Sequence, residues 1–151
     1  MSEKKRRVLS AVLICLCIAT VAFIWGNSML GSKASSNVSN SVLGALDPII
    51  RRFGIVSKDD LWLRKLAHFT EFAALGAELL FLAAVRRRLG LQAASNCAFA
   101  ALLAALTDET IQLISGRNSQ VLDLLLDFSG ALTGILIAWL ICRLIKKRRA
   151  S

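Results

Sequence analysis

Four long apolar segments constrain this chain more than any other feature of its sequence. They cover about residues 8–26, 66–85, 93–115 and 124–142, and each approaches the roughly 20 residues that a helix needs to cross a bilayer core. Because backbone groups in lipid must pair within their own segment, such stretches fold as helices. The sequence predicts an all-α fold, in which residues 1–151 form one integral membrane domain, a bundle of four transmembrane helices.

Basic residues follow a pattern that predicts the orientation of this bundle. The net charge is +9, and clusters at residues 4–7, 86–88 and 143–149 lie where a four-helix chain places them on one side of the membrane. Basic residues collect on the cytoplasmic side, so both termini are expected inside (N-in, C-in), with an outer loop over residues 27–60. This distribution explains the basic composition without nucleic acid as a partner.

The first apolar segment also has the basic start and apolar run of a secretory signal. Its run from Val8 to Trp25 is longer than the roughly 7 to 15 residues of such a signal's core, which favours a retained anchor. The four cysteines show no disulfide or metal-binding pattern and are interpreted as buried apolar thiols. No cofactor is predicted.

Ionisable residues interrupt three of the apolar segments at what should be one depth, in the outer half of the membrane. Helical spacing of about 100° per residue places the polar residues of each segment on or beside one face. A charge at the centre of a spanning helix costs about 2.5 to 3.5 kcal/mol, so several at one level imply mutual pairing or a wet cavity. The predicted ligand-binding residues are Lys65, His68, Glu71, Asp108, Glu109, Gln112, Arg117, Asp123 and Asp127.

Three kinds of function fit such a cluster, and the residues alone leave them open. The cluster can bind the polar part of an amphiphile, or its ion pairs can simply lock the bundle. It can also catalyse a reaction, with His68 as a base oriented by Glu71, or with Glu109 as an acid. A divalent metal held by His68 and neighbouring acids has weak support from the three-residue spacing of His68 and Glu71, and no metal site is predicted.

The polar residues also occur in a recognisable order along the chain. The sequence reads Arg64-Lys65-x-x-His68-Phe69-x-Glu71-Phe72, then Asp108-Glu109-x-x-Gln112, Gly116-Arg117, Asp123, Gly130 and Gly134. Over about residues 62–142, this pattern resembles the VanZ-like family of membrane proteins. The chain departs from the family pattern at Asp127, where the family has asparagine, and at Ser115, where it often has proline.

The resemblance implies a multi-pass protein of the bacterial cytoplasmic membrane. The family's namesake is associated with low-level resistance to the glycopeptide teicoplanin, which acts at the outer face of that membrane. The predicted function is therefore to bind an envelope lipid, a cell-wall precursor or a lipoglycopeptide within the outer half of the membrane, and so to contribute to teicoplanin-type resistance. An intramembrane hydrolase or transferase of an envelope lipid is the first alternative, and a structural or ion-conducting bundle is the second.

Overall fold

A computed structural model describes residues 2–29, 60–116 and 120–148 of the chain. Its four helices are α1 (Glu3–Met29), α2 (Asp60–Val85), α3 (Leu91–Ile114) and α4 (Val121–Arg148). These described residues contain no β-strand. The predicted all-α fold with four helices is confirmed. Arg117 and most of the predicted outer loop lie outside the described residues.

Each helix is long and apolar enough to cross a membrane. The most apolar windows of the four helices have mean hydropathies of 2.7, 1.4, 1.5 and 2.0 in chain order. The outside of the bundle carries large apolar side chains, among them Leu125, Leu136 and Ile137, which are half exposed or more. The interior contains charged ones, including Asp108 and Asp127. This distribution is the reverse of that in a soluble bundle, and it is stable only where lipid covers the outside.

The helices extend beyond the apolar segments that predicted them. α1 begins at Glu3 and continues to Met29, past the predicted limit at Gly26, and α4 continues through its basic end to Arg148. A helix of this length measures about 40 Å, whereas the bilayer core is about 30 Å thick, so the helix ends reach the headgroup region. Asn27 and Ser28 are therefore helical residues and not part of the outer loop.

Left-handed residues terminate two of the helices. After α2, Arg87 has a φ of 61°. The N–H groups of Arg87 and Arg88 donate hydrogen bonds of 2.9 Å to the carbonyls of Ala84 and Ala83, respectively. This pairing of bonds satisfies the last carbonyls of the helix. After α3, Gly116 adopts a φ of 74°, a conformation that glycine reaches without steric cost.

Glycines allow α2 and α4 to touch backbone to backbone. A Cβ atom built at three glycines would collide with the backbone of the facing helix: at Gly76 with Ala131, at Gly130 with Phe69, and at Gly134 with Ala73. Small residues at such an interface permit the close approach on which packing within a membrane depends. Because Asp127 lies one turn before Gly130 and Ala131 on α4, this contact also holds Asp127 against α2.

α1 completes the bundle by packing against α2 and α3. Ile24 of α1 is buried with Phe72 and Leu75 of α2 and Ala101 and Ala105 of α3. α1 thus supplies part of the core of the bundle, and its retention as an anchor stays a prediction.

The interpretation of the cysteines as buried thiols was wrong for most of them. All four are free, but only Cys97 is buried, whereas Cys15 is exposed on the outside of α1 and Cys17 and Cys142 are partly exposed. Apolar composition predicts that a thiol lies within the membrane, but it does not say whether the thiol faces lipid or protein.

Candidate functional site

An ion pair between α2 and α4 lies at the edge of the polar cluster. The ammonium of Lys65 is 2.9 Å from Oδ1 of Asp123, and their side chains are 44% and 25% exposed. Lys65 is one turn before Phe69, and Asp123 is two turns before Gly130, so the glycine contact between α2 and α4 brings this pair together.

His68 lies further into the bundle, between two carboxylates. Its Nδ1 atom is 3.9 Å from Oε2 of Glu71, on the same helix, and 3.8 Å from Oδ2 of Asp108, on α3. Both distances exceed the roughly 3.2 Å limit of a good hydrogen bond. The imidazole is therefore near both acids without a direct hydrogen bond between Nδ1 and either of these two oxygens.

Asp108 occupies the buried centre of the cluster. Its side chain is fully buried, and Oδ2 accepts a hydrogen bond of 2.7 Å from Nε2 of Gln112, one turn away on α3. The same amide lies 3.4 Å from the hydroxyl of Ser28 on α1. Asp127 of α4 and Glu109 of α3 are also buried, at 2% and 7% exposure. The buried part of the site is thus predominantly acidic.

Some oxygens in this acidic centre have no hydrogen bond. Within the described part of the chain, Oδ1 of Asp108 and Oε2 of Glu71 are buried and accept none. Asp127 lies close enough to interact electrostatically with Asp108, Glu109, Asp123 and Glu71. Buried carboxylates in this arrangement need protons, a cation or a polar ligand to compensate for lost hydration.

The predicted site residues that the structure describes converge. Lys65, His68, Glu71, Asp108, Glu109, Gln112, Asp123 and Asp127 meet at one end of the bundle. Arg117 lies outside the described residues, so its predicted role is still a prediction. The fold therefore brings residues of three helices into one polar cluster.

α1 contributes two residues to the site that the sequence did not predict. Asn27 forms a side-chain hydrogen bond with Glu71, and Ser28 is fully buried beside Gln112. The hydroxyl of Ser115, just after α3, is 3.1 Å from the carbonyl oxygen of Ser28 and ties the ends of the two helices together. The local sequence gave no signal for this, since glycine, asparagine and serine in succession are typical of a loop.

An apolar groove leads away from the polar cluster along the same helices. It has a volume of about 450 Å³ and opens between α1, α2 and α3, with a lining that includes Val21, Ala22, Leu75, Leu79, Ala100 and Ala104. Leu75 and Leu79 follow Glu71 at four-residue spacing, and Ala104 and Ala100 precede Asp108 at the same spacing, so groove and cluster share one face of each helix. Trp25 borders the groove and donates a hydrogen bond of 3.3 Å to the carbonyl of Ala104.

Four apolar helices around a buried acidic cluster define a multi-pass membrane protein with a polar site at one end. A family model described as VanZ/LLP1 matches residues 8–143, and the chain belongs to this family. The match includes α1, which lies outside the region of the motif resemblance and which supplies Asn27 and Ser28 to the cluster. Neither the curated proteins nor the solved structures include a significant match.

Proposed function

We propose that this protein binds an amphiphile of the bacterial envelope, with the head group in the polar cluster and an acyl chain in the apolar groove. The observation that carries the proposal is the continuity of the two: each of α2 and α3 presents acids at one end and groove-lining apolar residues directly below them. Ligand sites combine a mainly apolar wall with a few converging polar groups, and volumes of about 300 to 1,000 Å³ are typical.

The open side of the groove supports a ligand that enters from the bilayer. Ala22 and Ala100 line the groove and are exposed on the outside of the bundle, where lipid chains lie. A lipid can therefore place its chain between α1 and α3 without leaving the membrane. The basic clusters at the other ends of the helices favour the outer leaflet for the acidic end, by the positive-inside rule.

The charges of the cluster indicate the chemistry of the head group. Buried acceptors on Asp108 and Glu71 suit a head group that donates hydrogen bonds, such as the hydroxyl or amino groups of an aminosugar or amino acid. Lys65, which is half exposed at the edge, suits a phosphate or carboxylate nearer the surface. The sequence predicts the same role for Arg117, which lies outside the described residues. Envelope lipids, cell-wall precursors and lipoglycopeptides combine these features, and the proposal includes a contribution to teicoplanin-type resistance.

Catalysis on the same lipid is the second candidate. The observation in its favour is the position of His68 near two carboxylates, since an imidazole beside acids is a common general base. Substrate would have to draw Nδ1 and an acceptor together from 3.8 Å. The His68→Gln variant distinguishes the two functions. If the protein only binds the lipid, the variant should retain a reduced amount of it, whereas if the protein is an enzyme, unreacted substrate should accumulate.

Lipid retained by the purified protein tests the proposal. The full chain is extracted in mild detergent, and native mass spectrometry identifies lipids bound to it in comparison with the bulk extract. We expect an enriched amphiphile in wild type and a loss of most of it in Ala22→Phe, whose ring fills the groove. Ala19→Phe is the matched control, since Ala19 is exposed on the same helix and does not line the groove.

Two results bear directly against the proposal. Lipid composition equal to that of the bulk extract would show that the bundle holds no particular amphiphile. Equal loss in Ala22→Phe and Ala19→Phe would show that the groove is not where the lipid binds. Asp108→Asn, which keeps the shape of the side chain, is expected to weaken retention of the head group while the protein remains monodisperse.

A further inference from the structure

Three potential metal ligands from three different helices meet inside the polar cluster. His68 of α2, Asp108 of α3 and Asp127 of α4 each offer one ligating atom, and these atoms all lie within 4.8 Å of one another. Ligand atoms bound at about 2.1 Å to a single Zn²⁺ are roughly 3 to 4 Å apart. Small side-chain movements would therefore bring the three atoms onto one ion.

The environment of Asp108 provides an independent reason to expect a cation. Its Oδ1 atom is fully buried and accepts no hydrogen bond from the described residues, while Oδ2 is oriented by Gln112 at 2.7 Å. A carboxylate with one oxygen held by a neighbouring amide and one lone pair open is the arrangement of an oriented metal ligand. Asp127 is almost as deeply buried, at 2% exposure.

The ammonium of Lys65 does not replace such a cation at the centre. It lies 2.9 Å from Asp123, whose side chain is a quarter exposed. Asp123 is one turn closer than Asp127 to the start of α4. The buried carboxylates below this pair have the greater need for positive charge, since the cost of an uncompensated charge rises with burial.

We propose that His68, Asp108 and Asp127 form a binding site for a divalent first-row metal ion, Zn²⁺ or Mn²⁺. One imidazole and two carboxylates suit these ions, whereas Ca²⁺ takes six to eight oxygen ligands. Glu71 lies beside these three ligands and would need a larger side-chain movement to reach the ion; its buried Oε2 is 3.9 Å from Nδ1 of His68 and accepts no hydrogen bond from the described residues. The metal site does not depend on an acyl chain in the groove, but an ion here would use the same oxygens of Asp108 and Glu71 as a hydrogen-bond-donating head group, so the two would compete for them.

The spacing of the sequence did not reveal this site, because its ligands come from three separate helices. Within α2, His68 and Glu71 are only a weak metal motif, and Asp127 lies in another apolar segment. The close contact of α2 and α4 at Gly130 and Gly134 is what places Asp127 opposite His68.

Metal content of the purified protein tests the proposal. The full chain, with any polyhistidine tag removed, is stripped with chelator, incubated with Zn²⁺ or Mn²⁺, dialysed and analysed by plasma mass spectrometry. We expect about one ion per chain in wild type, and affinity at least about tenfold lower in Asp127→Asn and Asp108→Asn. Glu78→Gln is the matched control. Glu78 is a carboxylate of α2, two turns from Glu71, and it accepts a hydrogen bond of 3.0 Å from the hydroxyl of Thr20.

Two further measurements test the metal site without the asparagine variants, in case these fail to fold. X-ray absorption of zinc-loaded wild type is expected to show the outer-shell scattering of one imidazole ligand, and bound metal is expected to raise the Tm of both wild type and Glu78→Gln. Failure of wild type to retain either ion above background would overturn the site. So would equal retention of the ion by Asp127→Asn and Glu78→Gln, or an absorption spectrum without imidazole scattering.

Discussion

Replacing Gly134 by alanine should separate the two helices that carry most of the polar cluster. A methyl group at this position would collide with the backbone carbonyl of Ala73 on α2. Backbone cannot rotate out of the way as a side chain can, so the helices themselves must move apart. Asp127 lies two turns from Gly134 on the same face of α4, and the movement would carry it away from His68.

The expected loss of stability follows from two opposed effects. Alanine favours the helix over glycine by about 1 kcal/mol, which stabilises the variant. Overpacking of a close contact costs about 1 to 3 kcal/mol, and a backbone obstacle places Gly134→Ala toward the upper end. The net loss is therefore about 1 to 2 kcal/mol, or a fall in Tm of about 2 to 8 °C for a domain of this size.

Thermal unfolding in detergent, followed by tryptophan fluorescence, measures this loss. Gly26→Ala is the matched control, because Gly26 is also helical and a Cβ built there meets nothing within 4 Å. The control should gain up to about 1 kcal/mol from helix propensity alone. Gly76→Ala, on the opposite side of the same contact, should behave like Gly134→Ala. If both were as stable as Gly26→Ala, the close contact of α2 and α4 would be refuted.

Three other predictions address the rest of the molecule. Gln112→Leu removes the donor that holds Asp108 and should cost about 1 to 3 kcal/mol, measured by the same unfolding assay. Arg117→Lys should leave expression near wild type but reduce tolerance to a lipoglycopeptide, because lysine cannot bind an anion through a planar fork. For the orientation, an impermeant thiol reagent added to intact cells should label cysteine placed at Ser39 and not at Gly90, in a background without the native cysteines.

Each of these predictions has a result that contradicts it. Wild-type stability of Gln112→Leu would mean that Asp108 finds another donor. Full tolerance in Arg117→Lys would reject a bidentate role and leave only charge balance for this residue. Labelling of the cysteine at Gly90 from outside would show that the orientation is the reverse of the predicted one, with the acidic cluster in the inner leaflet.

Hydropathy and helical periodicity predicted most of the fold and the composition of the site. A run of about 20 apolar residues has no alternative to a helix in lipid, so the four helices followed directly from the sequence. His68 and Glu71 share a face of one helix, and Asp108 and Gln112 share a face of another, because residues three or four apart are neighbours on any α-helix. Those relations are local, and they hold before tertiary packing is known.

Features that depend on contacts between helices were not predicted. Gly130 and Gly134 were visible as a common packing motif, but the sequence does not say that Phe69 and Ala73 face them. The groove exists because α1 does not fill the space beside α2 and α3, and gaps of this kind have no sequence signature. Asn27 and Ser28 entered the site because α1 extends beyond its apolar run, which hydropathy cannot indicate.

The close contact of α2 and α4 also has a consequence for how the protein is made. These helices are not consecutive, since α3 separates them in the chain. During synthesis, Lys65 and His68 therefore enter the membrane before the helix that carries Asp123 and Asp127. The cluster can be completed only when the last helix is inserted, so a chain truncated before α4 would leave polar groups of α2 facing lipid and become a substrate for membrane quality control.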